Sequence, residues 1–507
     1  MYRCISPVRG LFALSLLWLA QGIQAAGFEL PHQGIKEMGI AYGGSAALLE
    51  DASAVANNPA GLLRLEDQQI SGGLALIRSE FDYDVEVHRE LIDDIGGTVP
   101  GRNSGDISAL SAAPHFYYSR RIASDAAVGL GIYAPFGTTT EYSNSWAGRY
   151  HATETDITAV NINPVFAFGA TDTLSVGFGA VVQYLEGEFR NAIDLGYLVA
   201  DEVLAQDPMA SSSDVEDNLV HQFDVDNEMI VDNWGFGFNF GLLWEPDEQT
   251  RVGLNYRSRV QHPAEGESKR PQTRDEQFRE DLIDAIDDSL SFFGGIIGSP
   301  EEGADQALGP LGAAGDDIRL VVDMPEIATL SAWHQLHDAV ALTGGITWTN
   351  WSRLDELRFT HMDDSDRGGS DITDSEDDVR RRDLVQPFGW EDTLRFGVGA
   401  ILRPELLDLP EGLHGWTFRG GVAFDESPVP DAERRTPRGP DNDRFILGLG
   451  ASWQWTEALE LDLGYTWTRF QSASINNREN PAGSEHRMEG DYKGRLHTLA
   501  AQLNYRF

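Results

Sequence analysis

The stretch that decides the fold is Asp232–Trp244, which reads DNWGFGFNFGLLW. Its residues alternate in character, and from Trp234 to Phe240 one parity is aromatic: Trp234, Phe236, Phe238 and Phe240. Only glycine and asparagine stand between these rings. Successive side chains of a β-strand point to opposite faces, so the segment predicts a strand with one large apolar face and one small or polar face. In a soluble sandwich the large face would form the core, whereas in a membrane barrel it would face lipid and the small face would line the lumen.

The same alternation recurs along most of the chain, in about 14 segments. They lie near 69–87, 107–122, 126–142, 153–169, 173–190, 231–244, 250–262, 317–334, 338–360, 390–402, 414–424, 442–455, 459–473 and 493–507. Short connections alternate with long ones, and the long ones lie near 88–106, 191–230, 263–316, 361–389, 425–441 and 474–492. Short periplasmic turns and long extracellular loops are typical of outer-membrane barrels. The sequence therefore predicts an all-β fold, a 14-stranded antiparallel transmembrane β-barrel over residues 67–507.

The N-terminus carries the pattern of a secretory signal peptide. Arg3 and Arg9 precede a short apolar run at Leu11–Ala20, and small residues follow as a cleavage site. Residues 1–25 are therefore predicted to be removed, which makes Ala26 the first mature residue. The only cysteine, Cys4, lies within this leader, so the mature chain is expected to contain no thiol.

The segment between the leader and the first predicted strand lacks strand periodicity. It spans residues 26–66 and is rich in glycine, alanine and serine. An irregular segment in front of a barrel predicts an N-terminal plug inside the lumen, which we call the hatch. A mobile leader before the first strand is the alternative.

Composition excludes several classes of function. The 507 residues include 38 Lys plus Arg and 81 Asp plus Glu, a formal charge of −43 that argues against nucleic-acid binding. No HExxH or GxSxG motif and no convincing Ser–His–carboxylate set is present, so no enzyme is predicted. The 12 histidines are scattered, and neither a metal site nor a cofactor is predicted. Acidic runs at 363–366 and 371–378 indicate a solvated loop surface or divalent-cation bridges to lipopolysaccharide.

The 263–316 loop contains a candidate amphipathic helix. Apolar residues recur in it at steps of four and three, at Phe278, Leu282, Ile286, Leu290 and Phe293. The apolar surface is widened by further residues, among them Ile283 and Phe292, and the 191–230 loop with Leu198 is its expected cover. Such a surface predicts capture of a hydrophobic ligand between the two loops. The alternative is that two loop helices simply pack on each other.

The third predicted strand contains an interruption. Pro135 donates no hydrogen bond to a strand ladder, and Gly137 tolerates unusual backbone angles, so a bulge or kink is expected here. The alternative is that the strand ends at Ala134.

Five groups of residues, in order along the mature chain, resemble one family. They are AGFEL at Ala26–Leu30; the triplet Asn58, Pro59 and Ala60; APFGTTTEY at Ala134–Tyr142 with WAGRY at Trp146–Tyr150; Pro325-Glu326 and TNWS at Thr349–Ser352; and AFDESPVP at Ala423–Pro430 with PDNDRF at Pro440–Phe445. On these motifs the chain resembles the outer-membrane long-chain fatty acid transporter family, FadL-like, which includes importers of aromatic hydrocarbons.

The resemblance implies passive uptake of hydrophobic molecules across the outer membrane of a Gram-negative cell, by a barrel with an N-terminal hatch. Ligands would be captured outside, held in an internal pocket and released sideways through a lateral gate at Pro135, Phe136 and Gly137. An aromatic-hydrocarbon importer of the same fold is one alternative, and a lipid-acting enzyme or a general porin is another. Partners would be the hydrophobic ligand, membrane lipid and lipopolysaccharide, with the protein acting as a monomer.

Several residues receive roles from this resemblance. Phe28, Leu30 and Phe136 are predicted to contact substrate in the internal pocket. Arg190 is similar to a basic family position and is a candidate partner for a fatty-acid carboxylate. The alternative is that it simply forms an ion pair with Glu188. Near Gly389 the family's basic residue gives way to neutral Gln386 or Pro387, a departure that leaves neutral hydrocarbons open as substrates.

Overall fold

The computed structural model of the chain describes residues 27–92, 95–207, 209–290, 299–308, 316–361, 384–407, 411–478 and 486–507. The predicted signal peptide, Phe292, Phe293 and both acidic runs lie outside the described residues. Of the helices in the described ranges, none combines the length and the apolar character needed to cross a membrane.

Fourteen antiparallel strands form one closed ring, as predicted. They are β1 (Gln68–Ile92), β2 (Ser104–Ala123), β3 (Ala126–Glu141), β4 (Glu154–Thr171), β5 (Leu174–Asp194), β6 (Asp224–Asp247), β7 (Thr250–Arg257 and Val260–Lys269), β8 (Asp316–Met324 and Ile327–His337), β9 (Val340–Thr349 and Glu356–His361), β10 (Leu384–Pro387 and Thr393–Leu402), β11 (Trp416–Asp425), β12 (Arg444–Gln454), β13 (Leu459–Phe470 and Ala473–Asn477) and β14 (His486–Arg506). A short strand, Ile95–Thr98, folds back onto β1. Consecutive strands pair with each other, and β1 pairs with β14 from Gln69 opposite Arg506 to Arg89 opposite His486, which closes the barrel.

The orientation of β6 separates a membrane barrel from a soluble sandwich. Its aromatic parity points outward, and Phe236 at the centre is 73% exposed. The opposite parity points inward, where Asn239 and Gly241 are buried. An exposed row of large apolar side chains is stable only against lipid, so the membrane-barrel interpretation of this strand is confirmed.

Several strands are longer at one end than the sequence pattern predicted. β6 begins at Asp224 rather than near 231, and β14 begins at His486 rather than near 493. Both extensions lie on the side of the long loops, and their outward positions carry polar residues such as Glu228 and Asp491. A strand that projects beyond the lipid needs no apolar outer face, so hydrophobic alternation does not reveal it.

The hatch contacts strands on several sides of the ring. It contains three short helices, α1 (Ile35–Gly39), α2 (Ser45–Leu48) and α3 (Ala54–Asn57), and a 3₁₀ turn at Pro59–Arg64. α1 packs against β11, β12 and β13, α2 against β7, β8 and β9, and the 3₁₀ turn against β4, β5 and β6. A segment that touches three separate arcs of a closed barrel lies inside the lumen.

The inward-facing positions of the strands carry small residues for a steric reason. A Cβ added at Gly253 of β7 would lie 1.8 Å from the carbonyl oxygen of Ala46, and one added at Gly43 would lie 2.3 Å from the backbone carbon of Gly397 in β10. Hatch and wall therefore touch backbone to backbone, which only glycine permits. The glycine-rich parity noted in the sequence is the surface that receives the hatch.

Asn58 of the NPA triplet joins the hatch to itself and to the wall. Its fully buried amide Nδ2 donates to the carbonyl of Ala46 at 2.8 Å and to that of Leu242 in β6 at 2.9 Å. Its Oδ1 accepts a hydrogen bond from the backbone N–H of Ala60 at 3.1 Å.

Replacing Asn58 by leucine, which has a similar volume, is expected to destabilise the hatch by roughly 2–4 kcal/mol, because three buried polar groups lose their partner. Amide hydrogen exchange measured by mass spectrometry should become faster in residues 46–62 and stay unchanged in the strands. Asn57→Leu is the matched control, since the Asn57 side chain is only half-buried and donates one bond, to Ser53 at 3.3 Å. Equal protection of the hatch in both variants would contradict the prediction.

Among the described residues, four further helices lie in the two longest loops, on the opposite side from the short turns. They are α4 (Leu195–Gln206), α5 (Ser212–Leu219), α6 (Glu276–Ser289) and α7 (Pro300–Leu308). Their apolar faces pack into one cluster, so the 191–230 loop does cover the 263–316 loop.

Candidate ligand cavity and wall opening

A mainly apolar cavity of about 650 Å³ lies between the hatch and the strands. The wall contributes residues of β3–β6, β8 and β9, of the break within β10 and of the loop between β11 and β12, and the hatch contributes its first described residues. The lining consists of Gly27, Phe28, Thr138, Thr155, Ile157, Leu185, Gly187, Phe189, Val231, Leu320, Val322, Met324, Leu354, Leu357, Phe388, Trp390, Arg438, Gly439 and Asp441. We call this space the apolar cavity.

Phe28, a predicted substrate contact, lies at one end of the apolar cavity. Its ring packs edge-on against Trp351 at a centroid distance of 5.0 Å and against Phe136 at 6.0 Å. The preceding residue is also held, because the N–H of Gly27 donates to Oδ2 of Asp441 at 3.1 Å. The N-terminal end of the hatch is thus part of the cavity wall.

Arg438 supplies a buried positive charge to the apolar cavity. It stands in the loop between β11 and β12, and its Nη1 donates to Oγ1 of Thr155 at 3.0 Å and to the carbonyl oxygen of Glu154 at 3.2 Å. Within the described ranges, no carboxylate forms an ion pair with it. Burial lowers the pKa of Arg438 to about 10, so the guanidinium stays charged at neutral pH.

Arg190, the arginine that the sequence favoured as a carboxylate partner, does not line this cavity. Strand alternation turns its neighbour Phe189 inward and Arg190 outward, where its guanidinium pairs with Glu154 at 3.2 Å, Glu228 at 2.9 Å and also Glu188. Burial lowers the pKa of Arg190, but these three carboxylates raise it, and the net change is an increase. Arg190 therefore belongs to an ion cluster on the outer surface of the barrel. The cluster includes the contact with Glu188, which was the alternative role for this arginine.

The wall of the barrel opens beside β3. β2 and β3 pair only from Ala123 opposite Ala126 up to Phe116 opposite Ile132. Beyond that point β2 pairs with β1 alone, and β3 pairs with β4 alone, with a register shift between Tyr133 and Phe136. The strand continues to Glu141, so the kink expected at Pro135 and Gly137 is the structure found, and the strand does not end at Ala134.

The hatch replaces β2 as the partner of the kinked segment. The N–H of Leu30 donates to the carbonyl of Pro135 at 2.8 Å, and the N–H of Gly137 donates to the carbonyl of Phe28 at 2.9 Å. These two bonds flank an antiparallel bridge between Glu29 and Phe136. Two backbone groups of β3 at the opening, the carbonyl of Pro135 and the N–H of Gly137, are thus satisfied from inside the barrel, where β2 does not pair with β3.

A second, smaller space lies in this opening. It has a volume of about 330 Å³ and is lined by Leu30, Ile77, Ser111, Ala112, Ala113, Ala134, Phe136, Gly137, Thr138, Thr139 and Thr158. We call it the wall pocket. Thr138 lines both spaces, and the contacting rings of Phe28 and Phe136 stand between them. A side-chain partition, rather than backbone, separates the apolar cavity from the opening.

Comparison with known proteins identifies the family. The family model for outer membrane transport proteins of the OMPP1/FadL/TodX type matches residues 16–507. The chain belongs to this family. It is accordingly a transport protein of the Gram-negative outer membrane.

Individual members of the OMPP1/FadL/TodX family are similar over nearly their whole length. The long-chain fatty acid transport protein of Escherichia coli O6:H1 is 25% identical over 98% of each chain. The crystal structure of a Pseudomonas aeruginosa FadL homologue has a TM-score of 0.74 at 21% identity, over 94% of this chain and 99% of that one. The Pseudomonas putida toluene transporter TodX has a TM-score of 0.56 at 13% identity, over 96% of this chain and 100% of that one. Both solved structures share the barrel fold.

The extracellular helices of this family member place the remaining predicted residues. Ile286 of α6 is 2% exposed inside the helix cluster, and Ile283 is partly buried at its edge. Leu198 of α4 is 42% exposed on the outer side. The buried residues hold the helices together, as in the alternative that the two loop helices pack on each other. Leu198 is a predicted capture residue that the structure leaves accessible.

One cluster near these loops was not visible from sequence spacing. Asp194, His221 and His486 place ligand-type atoms within 4.8 Å of one another. Oδ1 of Asp194 accepts the backbone N–H groups of Tyr197 and His221, and Oδ2 contacts Arg89 at 3.0 Å and Nδ1 of His221 at 2.7 Å. Protein groups already engage both carboxylate oxygens, so the cluster joins the loops to the barrel ends.

Proposed function

We propose that this protein takes up long-chain fatty acids passively through the outer membrane, without a chemical step. The observation that carries the proposal is the combination, in one cavity, of a long apolar lining and a buried arginine that forms no ion pair with any described carboxylate. An amphiphile with an apolar tail and one anionic head matches this arrangement. Each methylene of the tail adds about 0.8 kcal/mol on burial, and Arg438 offers the head two or more charge-assisted donors.

Release is proposed to occur sideways, through the wall pocket into the membrane. A fatty acid that left through an aqueous lumen would have to rehydrate its tail, whereas a lateral exit keeps the tail in apolar surroundings. Rotation of the Phe28 or Phe136 side chain would join the two spaces without breaking strand pairing. The proposal includes that the protein acts as a monomer surrounded by lipid and lipopolysaccharide.

Arg438→Gln tests the fatty-acid assignment. Loss of the charge is expected to weaken binding of oleate to the purified protein about 10- to 100-fold, the equivalent of roughly 1.5–3 kcal/mol for a hydrogen bond to a charged group. Binding of a neutral hydrocarbon such as toluene should not weaken. Calorimetry on detergent-solubilised protein measures both.

Arg190→Gln is the matched control, because this arginine lies on the outer surface of the wall. It is expected to bind oleate like the unmodified protein. If Arg190→Gln lost oleate binding and Arg438→Gln retained it, the assignment of the head-group site would be wrong. Tight binding of toluene and none of oleate would instead favour the hydrocarbon importer.

A further inference from the structure

A third space lies on the other side of the first hatch residues. It has a volume of about 420 Å³, and its lining is mostly polar: Glu29, Pro31, Gln33, Tyr42, Ser45, Ala56, Asn57, Asn255, Arg257, Ile327, Thr329 and Arg395. We call it the polar cavity. Phe28 lines the apolar cavity, Leu30 lines the wall pocket and Glu29 lines the polar cavity, so one extended segment borders all three spaces.

The two arginines of the polar cavity differ in their compensation. Arg395 lies 3.4 Å from Oε1 of Glu29 and 3.7 Å from Oδ2 of Asp425, so its charge is balanced. Arg257 is 7% exposed, and its guanidinium makes neither an ion pair nor a hydrogen bond to any described residue. Its one close aromatic neighbour is the ring of Tyr133, at 5.6 Å.

An uncompensated buried charge is costly, by several kcal/mol even after relaxation. The chain has 81 acidic residues against 38 basic ones, so a shortage of carboxylates does not explain why Arg257 has none. Asn255 stands two residues earlier on the same face of β7, and its Oδ1 is also without a hydrogen-bond partner among the described residues. Turning that amide over would direct its N–H donors into the cavity.

We propose that the polar cavity is an anion site in which a carboxylate binds between Arg257 and Asn255. The planar guanidinium fork fits the two oxygens of a carboxylate, and the amide adds a third donor. Ile327 and Ala56 also line the cavity and offer apolar contacts to a short alkyl chain beside the head group. The carboxylate has two sources, either a small soluble acid or the head of the transported fatty acid. The site is independent of Arg438, so either proposal can fail alone.

Bromide is the probe for the site. Crystals of the full-length protein soaked in sodium bromide are expected to show an anomalous peak at the guanidinium of Arg257. The peak should vanish in Arg257→Gln, persist in Arg257→Lys, which keeps the charge, and persist in the surface control Arg190→Gln. The same crystal structures show whether each variant is folded. Absence of the peak in the unmodified protein, or its persistence in Arg257→Gln, would overturn the proposal.

Competition then identifies the source. Displacement of bromide by butyrate alone assigns the site to soluble carboxylates, and displacement by palmitate assigns it to the head of the transported acid. Calorimetric affinity for the displacing acid should fall at least tenfold in Arg257→Gln. If neither acid displaced bromide, the carboxylate assignment would be wrong.

Discussion

Replacing Gly137 by phenylalanine is expected to abolish uptake of oleate while leaving the barrel folded. Gly137 lines the wall pocket, and a Cβ placed there would lie 3.2 Å from Cδ1 of Leu30 and 3.4 Å from the carbonyl oxygen of Ile157. A phenyl ring must therefore extend into the pocket of about 330 Å³ and fill it. Accumulation of radiolabelled oleate by cells that express the variant as their only fatty-acid importer measures the effect.

The matched control is Gly420→Phe. Gly420 lies on β11, and a Cβ added there meets no atom within 4 Å, so the ring projects into lipid without a steric conflict. Uptake by this variant should equal that of the unmodified protein.

Purified Gly137→Phe should still bind oleate, because the apolar cavity lies behind the Phe28–Phe136 partition. Undiminished uptake by Gly137→Phe, with the ring located in the pocket, would show that cargo leaves by another route.

Replacing Lys36 by methionine is expected to release the hatch and convert the barrel into an ion-conducting pore. The buried ammonium group of Lys36 contacts Glu460, and it lies 3.7 Å from Asp51 and 4.0 Å from Asp462. Breaking a buried charge cluster by removing one sign costs about 3–5 kcal/mol. Single-channel recording in planar bilayers should show steady conductance in the variant and none in the unmodified protein.

The charge state of Lys36 sets the pH range in which this contact holds. Burial lowers its pKa, but Asp462, Glu460 and Asp51 raise it, and the net pKa lies above the ordinary value. A group whose pKa rises on folding contributes its full stability below its unfolded pKa, which is about 10.4 for lysine, and loses it only at higher pH. The ammonium group of Lys36 is therefore expected to stay charged across the physiological pH range.

Lys269→Met is the control for Lys36→Met. Lys269 lies at the end of β7 beyond the lipid, about half exposed and 4.0 Å from the exposed Glu267, an arrangement that contributes little to stability. This variant should be as silent in bilayers as the unmodified protein. If Lys36→Met were equally silent, and hydrogen exchange of its hatch unchanged, the cluster would not be what retains the hatch.

The strands were predictable because lipid imposes a strict condition on them. Every outward side chain within the membrane must be apolar and every inward one must leave room, so stretches such as Asp232–Trp244 carry their orientation in the order of their residues. The interruption at Pro135 was predictable for a similarly local reason, since proline cannot join a strand ladder. Where β6 and β14 extend beyond the lipid, outward side chains need not be apolar, so the sequence pattern did not predict these parts of the strands.

The cavity was only partly predictable. Phe28 lines the apolar cavity, whereas Leu30 and Phe136 line the wall pocket, and their contact with substrate stays a prediction. Arg190 does not line the cavity, because strand alternation turns its side chain outward and that of its neighbour Phe189 inward. Arg438 stands between the motifs AFDESPVP and PDNDRF, which mark its loop, yet nothing in its neighbours tells that the loop turns into the lumen.

By itself, the sequence determined the number of strands, their inner and outer faces, the kink in β3 and the family, because each depends on residues close together in the chain. Only the tertiary structure decided which charges are balanced. Arg190 stands among three glutamates, whereas Arg438 and Arg257 are buried and form no ion pair with a carboxylate among the described residues. The partners of such charges come from strands and loops far apart in sequence. Charge compensation acts through space at distances of a few ångström, so only the folded barrel shows which buried charges have a partner.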